Sequence, residues 1–171
     1  MNRDYDCIVI GGGPAGSTVS TLLAQYGRRV LLLEKSRFPR HHIGESLMPQ
    51  TYWVFKRLGM LSKLKDSDFT PKESVQFVSS SGHDSQPYYF TDRDPSEYST
   101  TWQVKRDKFD KMMLDNAREH GVEIREGAAV KEVLFDGTRA VGVHATIDGA
   151  MQSISCKVVI DATGVNALLS K

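Results

Sequence analysis

Four consecutive apolar residues, Cys7-Ile8-Val9-Ile10, leave no position to face water, which predicts a strand covered on both faces, as in a parallel sheet. After the run Gly11-Gly12-Gly13-Pro14-Ala15-Gly16 the period changes. Ala15, Val19, Leu22, Leu23 and Tyr26 recur at helical spacing, so a helix follows, and Gly27 ends it. Arg29-Val30-Leu31-Leu32-Leu33-Glu34 is a second buried strand. Strand, glycine turn, helix and strand make a βαβ unit, around which the rest of the chain is organised.

Beyond Glu34 the pattern loosens into a basic, proline-broken connector, Lys35 to Ser46. Pro49 suits the first turn of a helix that carries Tyr52, Phe55 and Leu58 on one side and stops at Gly59; a second short helix covers Leu61 to Lys65. Asp66 to Pro71 breaks the pattern. From Lys72 to Val104 the residues favour strands: Val75, Phe77 and Val78, then Tyr88-Tyr89-Phe90, then Tyr98 to Val104. These aromatics could wall a pocket for a ring-shaped substrate or simply pack within a sheet. Arg106 to His120 is a helix with Phe109, Met112, Met113 and Ala117 as its buried stripe, Asp107 and Asp110 in its first turn and Gly121 as its cap. Val122 to Arg125 reads as a third parallel strand. Asp136-Gly137 and Asp148-Gly149 then separate alternating runs, a strong hairpin signal. A last strand, Val158-Val159-Ile160, ends in Asp161-Ala162-Thr163-Gly164.

The glycines at 11, 13 and 16 have dinucleotide-binding spacing in the required strand and helix context. The first permits the tight turn, the second lets backbone approach a pyrophosphate, and the third lets helix and strand pack closely. Phosphates would sit at the helix N-terminus. Glu34, at the end of the second strand, is placed to accept from a ribose hydroxyl and would repel a 2′-phosphate, which disfavours NADP. The motif alone leaves FAD and NAD both open.

Composition narrows the partners. The 171 residues suffice for one domain with a real core. A formal charge of +1 gives no reason to expect nucleic acid or an anionic membrane. No apolar run approaches a membrane span and the N-terminus has no signal-peptide character, so a cytoplasmic protein is expected. Cys7 and Cys156 sit far apart in apolar or strand-like stretches and read as structural. The adjacent His41 and His42 would point apart, and no metal is expected.

Together Gly11 to Gly16, Glu34-Lys35, Phe38-Pro39-Arg40-His41-His42-Ile43-Gly44-Glu45-Ser46, Val104 to Asp110 and Asp161-Ala162-Thr163-Gly164 resemble FAD-dependent oxidoreductases of the p-hydroxybenzoate-hydroxylase-like group. Within it the chain is most similar to the flavin-dependent halogenases. The resemblance covers almost the whole chain but only the N-terminal portion of the family's much longer proteins. It implies an α/β fold: a Rossmann-like FAD-binding domain over 1–171, with a parallel sheet and an antiparallel hairpin meander as crossover. Residues 72–104 would be an insertion that starts a substrate-domain sheet.

The resemblance also implies roles. Gly11, Gly13 and Gly16, with Pro14 and Ala15 among them, would hold the FAD pyrophosphate, and Glu34, with Lys35 beside it, the adenosine ribose. Arg106 would reach the phosphate or ribityl region, Val130 would contact adenine through its backbone, and Asp161 to Gly164 would close the site. Arg40 and Ser46 would lie near the isoalloxazine. In such halogenases reduced flavin and oxygen oxidise halide to hypohalous acid, which travels to a lysine beside an aromatic substrate. Phe69-Thr70-Pro71-Lys72 matches that lysine's setting, making Lys72 the catalytic candidate, although Ser74 stands where the family usually has glycine. A separate flavin reductase would supply reduced FAD. The alternatives are an aromatic monooxygenase, an isoprenoid (geranylgeranyl-type) reductase, or a truncated FAD-binding module without catalysis.

Overall fold

The computed structural model describes residues 4–169. Its elements are β1 (Tyr5–Ile10), α1 (Pro14–Gln25), β2 (Val30–Glu34), α2 (Thr51–Arg57), α3 (Leu61–Lys65), β3 (Thr70–Lys72), β4 (Ser74–Val75), β5 (Tyr88–Tyr89), β6 (Thr101–Gln103), α4 (Arg106–Glu119), β7 (Glu123–Glu126), β8 (Ala129–Asp136), β9 (Arg139–Ile147) and β10 (Ala150–Asp161). The chain divides into two compact units: Ile43–Arg106 is one, and the residues on either side of it form the other.

The larger unit is built on a six-stranded sheet in the order β7-β2-β1-β10-β9-β8. β1, β2, β7 and the second half of β10 run parallel, whereas β8, β9 and the first half of β10 form an antiparallel meander. The unbroken apolar runs of β1 and β2 divide between two cores by strand alternation. Ile8, Ile10, Leu31 and Leu33 meet Val143, Ala145, Ile147 and Ile154 of the meander. On the opposite face Cys7, Val9, Val30 and Leu32 meet Leu114 and Ala117 of α4, with Val19, Leu23 and Ala24 of α1 packed alongside. Cys7 and Cys156 belong to different cores and are free thiols. At the second hairpin Asp148 and Gly149 both take positive φ, at 50° and 80°, as a primed two-residue turn demands.

Three expectations from the sequence need correction here. The fully buried face of α1 consists of Gly16, Ser17, Ser20 and Thr21, while Ala15 is exposed and Tyr26 is 66% exposed. A helix that approaches a sheet closely has room for small side chains only. Ser17 Oγ donates to the Gly12 carbonyl at 3.0 Å and Thr21 Oγ1 to that of Ser17 at 2.8 Å, but the buried Ser20 hydroxyl has no partner among the described residues. Ser20→Ala is therefore expected to raise stability by about 1 kcal/mol, seen as a higher urea midpoint. The strand placed at 158–160 is one continuous β10 with the preceding segment. It pairs with β9 up to Ser155 and with β1 from Cys156 onward. Asp110, expected with Asp107 in the first turn of α4, lies beyond that turn and is fully buried.

In the unit Ile43–Arg106, α2 and α3 bury Tyr52, Phe55 and Leu64, and Leu58, Met60, Phe69, Phe90 and Trp102 are buried with them. Its strands form two short antiparallel pairs, β3 with β6 and β4 with β5. The strand expected from Tyr98 is shorter: residues Glu97–Ser99 make a 3₁₀ turn and β6 starts at Thr101. Phe77 and Val78 lie in the loop between β4 and β5 and are each 69% exposed.

Candidate functional site

At the carboxyl end of β1 the chain must turn within two residues, and Gly11 does so at a φ of +106°. A side chain there would place its Cβ 2.5 Å from the Ala162 carbonyl oxygen. Gly16, in the first turn of α1, is sealed more tightly still: a Cβ would overlap the carbonyl oxygen of Gly11. Gly13 differs. It caps α1 with an extended backbone, and the nearest atom to a Cβ built on it is the Arg40 guanidinium Nη2, 3.6 Å away. Two glycines thus close the turn, Gly11 against the Ala162 carbonyl just after β10 and Gly16 against Gly11 itself, and the third leaves room beside its backbone.

Pro14 opens α1, supplying a preset φ where no amide donor is required. The first amides of the helix have no acceptor within it. Glu34, at the end of β2, is 5% exposed. Its Oε2 accepts from the Gly12 amide and its Oε1 from the Ser36 amide, each at 2.7 Å. Each oxygen keeps a further lone pair. Gly12 had no role in the sequence reading, yet a Cβ there would come within 3.1 Å of Glu34 Cβ; its signal was the third glycine between two already assigned. Lys35 is exposed. Val130 lies on β8, two residues beyond Ala128, whose amide donates to the Glu34 carbonyl at 2.9 Å.

Arg40 stands over the Phe38 ring at 4.8 Å and pairs with the buried Asp110, Nη1 to Oδ2, at 3.6 Å. The Phe38-Pro39-Arg40 motif points to Arg40 but not to this carboxylate beside it. Asp161, at the end of β10, binds its own turn: Oδ1 accepts from the Thr163 amide at 3.0 Å and hydroxyl at 2.6 Å, and Oδ2 from the Leu169 amide at 2.8 Å. Burial alone would raise its pKa. The bonds from Thr163 and Leu169 outweigh that and hold the carboxyl below its ordinary value. Its contribution to stability is therefore complete above the unfolded-state pKa of about 4 and disappears as pH falls through the lower folded-state value. Acid titration of the wild type is expected to show this loss, and Asp161→Ala a flatter acid limb, read by circular dichroism at constant urea. Gly164 follows at a φ of +65° and is exposed.

The structure gathers Gly11, Gly13, Pro14, Gly16, Glu34, Arg40 and Asp161 at the carboxyl ends of neighbouring strands, where open α/β sheets bind ligands. A turn sealed by Gly11 and Gly16, an open Gly13, helix amides and a fixed carboxylate one strand away fit a dinucleotide with its pyrophosphate on α1.

In the unit Ile43–Arg106 a second group assembles. Lys72, the last residue of β3, donates from Nζ to Ser46 Oγ at 2.6 Å and to the Leu47 carbonyl at 3.2 Å. Its Nζ lies 3.9 Å from Met48 Sδ and 5.5 Å from the Phe90 ring centroid. The segment carrying Ser46 is fixed by β6: Leu47 donates to the Trp102 carbonyl at 3.1 Å and Val104 to that of Glu45 at 2.8 Å. Arg106 Nη1 donates to the carbonyls of Ile43 at 2.6 Å and Gly44 at 3.4 Å. Among the described residues no three His, Cys, Asp or Glu side chains come together as metal ligands, and no helix is long and apolar enough to cross a membrane.

The family model of an FAD-binding domain matches residues 4–171. The chain belongs to the FAD-binding domain family. Similar curated proteins within it include a 1H-pyrrole-2-carbonyl-(peptidyl-carrier protein) brominase of Pseudoalteromonas luteoviolacea, 36% identical over 169 residues covering 99% of this chain and 40% of that protein. A corresponding chlorinase of Pseudomonas fluorescens is 33% identical, covering 99% and 41%. Among solved structures a myxobacterial chondrochloren halogenase superposes with a TM-score of 0.88 at 40% identity, over 94% of this chain and 37% of that one. The FAD-binding domain described here thus spans about two fifths of the length of the curated relatives it matches. FAD is its cofactor, and the sealed turn and Glu34 are consistent with that ligand.

Proposed function

We propose that this FAD-binding domain serves a flavin-dependent halogenase acting on an aromatic substrate, with a separate reductase supplying reduced flavin. The observation that carries the reading is Lys72: an amine anchored by Ser46 and Leu47 at the end of β3, in a chain whose relatives include halogenases at 33–40% identity. Reduced FAD with oxygen supplies the oxidising equivalents that turn halide into hypohalous acid. The rest falls to the chain's own residues. Gly13 and the first turn of α1 bind the pyrophosphate, Glu34 accepts from the adenosine ribose, and Val130 meets adenine through its backbone. Arg40 is held by Asp110, and Arg106 braces the Ile43-Gly44 backbone.

Lys72 hydrogen-bonds to the hypohalous acid or takes the halogen as a haloamine, and so presents electrophilic halogen to the substrate instead of releasing it to water. Ser46 holds the amine in place. The stretch 72–104 then belongs to a substrate-binding sheet, and the exposed Tyr88 and Tyr89 are available to line it. A hydroxylase or a prenyl-chain reductase would make no demand on Lys72. Incubating the complete protein with reduced FAD, oxygen, bromide or chloride and a panel of phenols and pyrroles tests the reading. Halogenated product is expected; hydroxylated product, or flavin oxidation without either product, would overturn it.

A further inference from the structure

The groups around the Lys72 amine differ in what an electrophilic halogen can do to them. A hydroxyl and a carbonyl, those of Ser46 and Leu47, can only bond to it. A thioether is different: its sulfur is soft, polarizable and readily oxidised. Met48 Sδ lies 3.9 Å from Lys72 Nζ, and the Met48 side chain is 47% exposed, so the water needed to complete an oxidation has access. Both residues lie in the same compact unit. Met60 and Met113, by contrast, are buried, at 0% and 2% exposure.

The geometry points to Met48 as an oxidation site that drains electrophilic halogen from Lys72 when no aromatic substrate takes it. This rests on the reading of Lys72 given above. The halogen of a lysine haloamine passes from nitrogen to sulfur, and the N–X bond breaks as an S–X bond forms. Water then adds to sulfur and halide leaves. In sum Lys–NH–X, methionine and water give Lys–NH₂, methionine sulfoxide, a proton and halide; sulfur loses two electrons and the halogen gains them. The amine is regenerated, and the cost falls on a side chain that a sulfoxide reductase can restore. The sulfoxide also places a polar oxygen beside the amine, so an oxidised Met48 would compete with Ser46 for Lys72.

The test has two arms. In the first, without flavin, the purified chain receives less than one equivalent of hypochlorite at about pH 8, and sulfoxide is quantified by peptide mass spectrometry at Met48 and at Met151. Met151 is 60% exposed on β10 and reports bulk reactivity. Hypochlorite halogenates the Lys72 amine, and the haloamine then delivers its halogen to a sulfur 3.9 Å away, whereas Met151 reports attack from solution. The ratio of Met48 to Met151 sulfoxide is therefore expected to be severalfold higher in wild type than in Lys72→Ala, or in Lys72→Gln should the alanine variant not fold. Equal ratios would overturn the proposal. In the second arm the complete protein turns over with reduced FAD, oxygen and bromide but no aromatic substrate, while a chromogenic acceptor in a parallel sample records halide oxidation. Bromide-dependent sulfoxide at Met48, absent without Lys72, supports the drain. Halide oxidation with Met48 intact overturns it. Absence of halide oxidation overturns the halogenase reading instead, and the ratio from the first arm then decides for Met48 alone.

Discussion

Gly16→Ala is expected to destabilise the chain by about 3 kcal/mol and to abolish retention of FAD, whereas Gly13→Ala should leave stability within about 0.5 kcal/mol and weaken FAD alone. Two effects oppose each other at Gly16. Alanine is the better helix former by about 1 kcal/mol, but its Cβ would overlap the Gly11 carbonyl oxygen, a backbone atom of the turn itself. Overpacking against backbone costs up to about 3 kcal/mol or more, so the clash wins. Around a Cβ at Gly13, chain neighbours aside, the one contact within 4 Å among the described residues is the end of the Arg40 side chain, at 3.6 Å, and φ is an ordinary −69°. A methyl group there meets no protein backbone and intrudes only on a ligand approaching α1. Urea denaturation of both variants, paired with the flavin absorbance retained after gel filtration, separates the glycine that makes the turn from the glycine that leaves room at it. Equal stability losses in the two would contradict this division.

The second large effect is on Lys72. In the complete protein Lys72→Ala is expected to remove halogenated product to the limit of detection while flavin oxidation continues at its wild-type rate. The variant should fold, because the side chain is only partly buried and its hydrogen bonds go to Ser46, Leu47 and Met48 in exposed or part-buried settings. Ser46→Ala should keep part of the activity, since the Leu47 carbonyl still holds the amine; a product yield between those of wild type and Lys72→Ala is the expected outcome. Unchanged product formation in Lys72→Ala would remove the lysine from the chemistry.

Much of the fold was legible because local signals agreed with one another. The apolar run Cys7 to Ile10 followed by Gly11 could only be a buried strand entering a tight turn, and the Asp-Gly pairs at 136–137 and 148–149 marked both hairpins. The error at α1 arises because burial is set by distance between elements as well as by polarity. α1 lies so close to the sheet that Ser17, Ser20 and Thr21 fill a face where apolar residues were expected. β10 runs on through Lys157 because that residue, exposed at the change of partner, pairs with Asp6 at 2.6 Å. For the cofactor site, the sequence indicated the strand ends and the glycines but not the contacts that tie them together, such as Gly12 to Glu34 and Arg40 to Asp110. Those join residues 22 and 70 positions apart, and no periodicity reports them. The contact of Met48 with Lys72 is of the same kind.

β10 changes its pairing from β9 to β1 without a break, and the residue that follows it, Ala162, lies against Gly11. Its 12 residues span about 40 Å at strand rise. Such a member makes the meander and the nucleotide turn one cooperative unit with respect to opening: the outer hairpin cannot fray past Ser155 without loosening the strand that backs the glycines. Slowed amide exchange upon occupation of the turn would then extend along β10 into β9, far from any atom that touches the ligand. Affinity for the dinucleotide and the integrity of a distant hairpin become two readings of a single equilibrium.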